Sequence, residues 1–347
     1  MLKSLYRRFS NDIGIDLGTA NTLVYLKGHG IIINEPSIVA VNRKTGQIVA
    51  VGHEAKKMWG KTPAHIEIIR PLIEGVVSDF DMTEEMLAYF IRKAEKLSKK
   101  FFRPRVVIGV PSGITNVEMR AVYDAGIDAG AREVFLVEEA MAAAIGVRLP
   151  VLDPRATFIV DIGGGTTDVA LISLGGVVRS LNLRIAGDHF NERIIEYLRD
   201  EFKLLVGEPT AESVKLALGS AIETEYQEIE VRGRDLVTGL PRALMVTDGD
   251  IREALMRPIG FLLAAIREVL ETAPPEMMSD ILKTGIVLTG GGAMLPGLPE
   301  LLEQELSLPI HIAQDPLSAV ARGTGIILEN FEQYESVILP LDEHVVI

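Results

Sequence analysis

The chain has 347 residues and no cysteine, carries a formal net charge of −13, and is 48% hydrophobic and 24% charged. That length exceeds one ordinary core, so two or more domains are expected; the composition excludes disorder, and the charge argues against a nucleic-acid surface. The missing thiols exclude disulfides and thiolate metal sites and fit a cytosolic protein, and the longest apolar runs, 140–147 and 259–266, reach half or less of the ~20 residues that span a bilayer.

Residues 1–10 form a locally basic patch in this acidic chain. Drawn as a helix, Leu2, Leu5, Tyr6 and Phe9 share one face, with Lys3, Arg7 and Arg8 beside them. The segment lacks the apolar core and cleavage site of a signal peptide. It reads either as a frayed tail or as a short helix lying on an anionic membrane. From Ile13 a strand ends at Asp16, turns through Gly18, Thr19, Ala20 and Asn21, and returns through Val24. Strands are predicted at 31–34 and 37–41 around Glu35-Pro36, a turn at Lys44-Thr45-Gly46, and a short helix over 51–61. An irregular stretch over 63–75 precedes an amphipathic helix over 82–97. In the charged loop that follows, Phe101 and Phe102 are either buried or dip into lipid between flanking cations.

A buried strand over 106–110 ends at Pro111-Ser112-Gly113, and a helix over 116–129 leads to a strand at 133–137. There Glu138-Glu139 opens a helix of alanines, small enough to pack very closely against a neighbour. Its acidic start is also what a helix dipole favours. The strand–helix alternation indicates an α/β sheet with helices on its faces. Phe158 to Ala170 then repeats the first hairpin: an apolar strand to Asp161, a corner of Gly163, Gly164, Gly165, Thr166 and Thr167, and an apolar return past Asp168. Further on come a strand over 176–183, a helix capped at Ala186-Gly187-Asp188 and running to Phe202, and a helix over 210–220 carrying Glu212 and Lys215. Residues 222–246 read as strands and turns of a peripheral subdomain, and 247–273 as a long helix stopped by Pro274-Pro275. Gly285 to Met294 leads a strand into Gly290, Gly291, Gly292, Ala293 and Met294, glycines that allow close approach to a flat ligand group. Helices are predicted over 298–306 and 317–330.

The chemistry lies in the repeated hairpins. Glycine corners let main-chain N–H groups point at one anion, an Asp at the strand end can hold a hydrated Mg²⁺, and threonine hydroxyls reach phosphate or water. An internal repeat predicts two similar halves facing each other across a cleft, one hairpin from each. The six histidines show no metal-ligand spacing; His53-Glu54 begins like a zincin motif, but position 57 is Lys. No Ser/His/Asp arrangement is present.

Asp16 to Thr22 resembles the first phosphate motif of the actin–chaperone–sugar-kinase ATPases, Asp161 to Thr167 the second, and 288–294 the adenosine motif. Asn34-Glu35-Pro36-Ser37, Gly60-Lys61-Thr62-Pro63, Ile69-Arg70-Pro71, Gly109-Val110-Pro111 and Pro274-Pro275-Glu276, none of them required by phosphate, resemble the MreB family of bacterial actins. The resemblance covers essentially the whole chain. It implies an α/β, actin-like ATPase: two ribonuclease-H-like domains around a nucleotide cleft, each with a smaller subdomain. The large subdomains would be 1–39 with 73–152 and 322–347, and 153–187 with 248–321; the small ones would be 40–72 and 188–247. ATP and Mg²⁺ are the implied cofactors. Asp16 and Asp161 would hold hydrated Mg²⁺, and the amides of Gly18, Thr19, Ala20 and Asn21 and of Gly163, Gly164, Gly165 and Thr166 would bind phosphates. Gly187 and Asp188 would flank them, Glu212 and Lys215 would contact ribose and base, and Gly290 to Met294 would back the adenine. Glu139 and Thr166 would position the attacking water.

By the same resemblance the N-terminal segment and the Phe101-Phe102 loop become membrane contacts at the inner face of the cytoplasmic membrane. The implied function is slow ATP hydrolysis coupled to filament assembly, organising cell-wall synthesis with shape proteins such as MreC and RodZ. Two positions depart from the family pattern: Ala140 stands where Pro usually follows the catalytic Glu, and Asp168 where Glu is usual. Neither removes a group that phosphate or Mg²⁺ requires. FtsA is the nearest alternative, but residues 28–71 form a continuous segment of the MreB kind. A DnaK-type chaperone would carry a β-rich substrate domain after the ATPase, where this sequence ends at Ile347. A sugar kinase would place a catalytic Asp where Glu139 and its alanines stand.

Overall fold

The computed structural model describes residues 12–98 and 103–341; the membrane-contact candidates Leu2, Leu5, Tyr6, Phe9, Phe101 and Phe102 lie outside them. Two five-stranded sheets dominate, and they share one topology. In the first, Ile13–Leu17, Asn21–Leu26 and Gly30–Pro36 form an antiparallel meander, and Arg105–Val110 and Glu133–Glu138 add in parallel beside Ile13–Leu17. In the second, Thr157–Ile162, Thr167–Ser173 and Gly176–Leu183 form the meander, and Ile286–Thr289 and Ile310–Ile312 add in parallel beside Thr157–Ile162. The central strands are buried along almost their whole length and mostly apolar, as strands covered on both faces are. The internal repeat read from two short hairpins is thus a repeat of whole sheets.

Each half also carries a three-stranded sheet: Val39–Asn42 between Ile48–Val51 and Ile66–Ile69, and Glu228–Asp235 between Leu204–Leu205 and Pro241–Thr247. The stretch 63–75, expected to be irregular, therefore contains a strand at Ile66–Ile69, and Leu72–Ile73 pairs with Val76–Val77. Its prolines and Gly75 punctuate the segment closely enough to hide strands of two to four residues. Pro274-Pro275 stops one helix, Asp248–Glu271, and starts another: Pro275 opens Pro275–Thr284, where its missing N–H would have been unpaired anyway. The last predicted helix splits into a 3₁₀ turn, Pro316–Ser318, and Ala319–Glu329.

Between the halves run two helices, Glu139–Gly146 and Ala319–Glu329. Every residue of the first is buried. Their core joins Val107 of the first sheet to Ile159, Ala170 and Ile172 of the second. They cross at bare backbone: a Cβ on Gly146 would stand 2.8 Å from the carbonyl carbon of Ala319, and one on Gly323 2.5 Å from that of Ala142. The alanine run of the sequence is the counterpart of that approach. Among the described residues no helix is long and apolar enough to cross a membrane.

Candidate functional site

The corners of the two repeated hairpins meet. A Cβ on Gly164 would stand 2.5 Å from Cβ of Ala20, and one on Gly165 2.9 Å from Cβ of Thr19, so glycine here is a condition of the approach. Protein donors hold the carbonyls of both corners. Ser37 donates its hydroxyl to the Gly18 carbonyl at 2.5 Å and its N–H to that of Ala20 at 3.0 Å. In the second corner the N–H groups of Gly187 and Asp188 donate to the carbonyls of Gly163 and Gly164 at 3.2 and 2.7 Å. Ser37 gives a structural reason for the Asn34-Glu35-Pro36-Ser37 stretch, which sequence reasoning had used only as a family mark. The Gly163 N–H is engaged, closing the turn on the Thr166 carbonyl at 2.9 Å. Thr19 accepts the N–H of Gly75 at 2.9 Å, and a Cβ on Gly75 would stand 3.0 Å from Cγ2 of Thr166.

Around these corners gather four carboxylates. Burial, followed by the charge of Asp161, pushes Asp16 up to about 8. Burial likewise raises Asp161 to about 7, although Thr289 donates its hydroxyl to Oδ1 at 2.8 Å. Glu139, at the start of its helix, is held well above its usual range by burial and then by Asp168, Asp16 and Asp161. Its Cγ lies 3.3 Å from where a Cβ on Gly109 would be. Asp168 is raised by burial against the pull of Ser112 and Asn182, which both hydrogen-bond to it. Acids crowded this way are neutralised by protons or by a cation. Among the described residues no three carboxylate or imidazole side chains converge closely enough to ligate one directly; Asp16 and Asp161, close enough to repel one another, are oxygen donors of the kind a hard divalent cation takes.

The outer wall brings Gly187, Glu212 and Lys215 together. Lys215 donates to the Gly187 carbonyl at 2.9 Å and to Glu212 at 2.7 Å, and Asn191 donates to Glu212 at 2.7 Å. Burial pulls the Glu212 carboxyl up, but Lys215 and Asn191 outweigh it and hold it below its usual range. Asp188 turns instead to Arg70, which also donates to Glu208 at 2.8 Å. Arg184 pairs with Glu74 at 3.1 Å. Arg70 and Glu74 come from the first half and their partners from the second, and nothing in the local sequence pattern announces these links. On the far wall, protein fills the side-chain position of two glycines. A Cβ on Gly290 would stand 2.6 Å from the carbonyl carbon of Ile162 and one on Gly292 2.9 Å from Cβ of Ile162, while Ala293 is buried in the second core. Gly291 and Met294 are exposed.

Residues 10–336 match the family model described as MreB/Mbl protein. The chain is 50% identical over 341 residues to the cell shape-determining protein MreB of Escherichia coli (strain K12), covering 96% of this chain and 98% of that protein. It is 45% identical over 326 residues to the cell shape-determining protein Mbl of Bacillus subtilis (strain 168), covering 94% and 98%. Among solved structures, MreB5 of Spiroplasma citri bound to ADP superposes with a TM-score of 0.89 at 35% identity, over 93% of this chain and 98% of that one. MamK in its double helical filament, at 23% identity and a TM-score of 0.78 over 92% and 99%, shares the actin-like fold. The duplicated sheets, the facing glycine corners and this likeness agree: the chain belongs to the MreB/Mbl family.

Proposed function

We propose that this chain is an ATP-binding and ATP-hydrolysing actin-like protein that assembles with itself into filaments and acts in setting cell shape. The observation that carries the reading is the meeting of two glycine corners beside four acids from both halves, an arrangement with no structural need for so much buried charge. Support comes from relatives: MreB5 is solved with ADP and with AMPPNP, and MamK as a filament.

The amides of Gly18 to Asn21 and of Gly164 to Thr166 face the phosphates, with Gly163 closing the turn that aims them. Asp16 and Asp161 would hold Mg²⁺ through water, and the ion when bound would neutralise phosphate charge. Glu139, aimed from a buried helix start, and Thr166, fixed beside Gly75, orient a water on the opposite wall. Hydrolysis of this kind is mainly positioning and charge stabilisation, so a carboxylate and a hydroxyl suffice. Glu212 and Lys215 meet the ribose and base, and the backbone of Gly290 to Met294 backs the adenine. Residues 1–10 and the Phe101-Phe102 loop supply the membrane contact, placing filaments on the cytoplasmic face of the membrane near wall-synthesis and shape proteins such as MreC and RodZ. Light scattering and pelleting with and without Mg·ATP, alone and with anionic liposomes, test this. Assembly that rises with Mg·ATP and co-sediments with the liposomes supports the reading; no nucleotide dependence in either condition overturns it. Deleting residues 1–10 weakens liposome co-sedimentation while sparing ATP binding.

A further inference from the structure

Asp168 stands on the return strand of the second hairpin, two residues past Thr166, and its two oxygens are held from different directions. Oδ2 accepts Nδ2 of Asn182 at 3.1 Å; Asn182 is its cross-strand partner in the same sheet and fixes how the carboxylate is turned. Oδ1 accepts the backbone N–H of Ser112, in the other half of the molecule, at 2.8 Å and out of reach of solvent. Ser112 sits in the Pro111-Ser112 turn that ends the strand Arg105–Val110, and Gly109 of that strand is the surface on which the Glu139 side chain rests. The same turn faces Thr166 by way of Gly75, whose added Cβ would stand 2.7 Å from Cγ of Pro111 and 3.0 Å from Cγ2 of Thr166. A single turn therefore touches the surroundings of both water-orienting groups, and Asp168 ties it to the opposite hairpin.

We propose that Asp168 is a positioning residue: by holding the Ser112 amide it sets how Glu139 is aimed at Thr166 across the cleft. The proposal rests on the ATPase reading above. It also gives the departure at this position a physical meaning. The glutamate that is usual here would carry its carboxylate one methylene farther from the strand, and the turn would have to move with it to keep the bond.

The test uses the full chain and three measurements: affinity for a fluorescent ATP analogue, the turnover number for phosphate release from Mg·ATP, and hydrogen exchange at the Ser112 amide. Asp168→Ala removes both acceptors. It should speed exchange at Ser112 and lower turnover by about tenfold to a hundredfold, the cost of misplacing reacting groups by around an ångström, with nucleotide affinity held within about threefold. Asp168→Asn keeps an oxygen for the Ser112 amide and should recover part of both the protection and the rate. Unchanged turnover in Asp168→Ala overturns the proposal. So does an affinity that falls in step with turnover, which marks a merely structural role. A wild-type chain that binds ATP without hydrolysing it overturns the ATPase reading, and this inference with it.

Discussion

The crossing of the two helices between the halves makes a quantitative prediction, because glycine there has two opposed effects. Replacing Gly323 by Ala gains about 1 kcal/mol of helix propensity. Against that, the new Cβ would lie 2.5 Å from the Ala142 carbonyl carbon and 3.0 Å from its Cα, where ordinary contact begins near 3.4 Å. The helices would have to part by roughly an ångström inside a filled core. Overpacking costs about 1–3 kcal/mol, and the obstacle here is backbone that no rotamer change can move aside, so the upper figure applies. The clash wins, and Gly323→Ala should lose about 2 kcal/mol net, lowering the melting temperature of a chain this long by about 3 °C. Gly260 is the matched control: it lies exposed within the helix Asp248–Glu271, and a Cβ there meets nothing within 4 Å. With no clash to oppose propensity, Gly260→Ala should raise the melting temperature by about 1–2 °C. Thermal melts of both variants in one buffer decide it. A Gly323→Ala chain as stable as wild type would refute backbone contact between the helices.

Arg70→Ala frees Asp188 and Glu208 from the other half and should speed release of fluorescent ADP about tenfold, the equivalent of one partly buried charge pair; an unchanged release rate would mean that Arg70 does not hold the mouth closed. Glu139→Gln should leave ATP bound while slowing hydrolysis by about 10²-fold, and an equal loss of affinity would contradict its role toward water. Asp161→Ala should abolish Mg²⁺-dependent ATP binding in titration calorimetry; retained binding would remove Asp161 from the cation site. The buried acids also predict a pH dependence. Asp16 and Asp161 titrate near 8 and 7 in the ligand-free fold, against 3.8 for a free side chain. Raised values mean that the fold favours the protonated forms, so their stabilisation is complete below about pH 4 and is lost as pH climbs to about 8. In EDTA, Asp161→Asn should melt close to wild type near pH 4 and increasingly above it up to about pH 7, where the difference levels off. Parallel melting curves would refute that assignment.

The hairpins were legible because they are local: strand, Asp, glycines and a returning strand lie within some dozen residues, and their repetition announces a cleft. Glu139 was legible for a similar reason, as an acid at the mouth of an alanine helix. What escaped the sequence depends on the second half arriving. Arg70 is an ordinary arginine before a proline until Asp188 and Glu208 close on it, and Ser112 is a turn residue until its N–H finds Asp168. The glycines at 290 and 292 show a second reason for a glycine run. A glycine run reads the same whether a ligand or the neighbouring strand comes close, and here Ile162 comes close to both. The membrane-contact candidates at 2–9 and 101–102 fall outside the described residues and stand on pattern alone.

The registers of the two sheets place Gly109 beside Asp16 and Thr289 beside Asp161, at one and the same point of a duplicated scaffold. In the second half that point is occupied by a hydroxyl, which spends itself on its own aspartate. In the first half it has no side chain, and Glu139 lies across the bare backbone. A side chain at 109 would press on Val320 and Glu139, at 3.0 and 3.3 Å from its Cβ; a glycine at 289 would take away the hydroxyl partner of Asp161. Two halves built to one plan thus differ at this point through a single side chain on a parallel neighbour strand, which in one half holds the aspartate and in the other leaves room for Glu139.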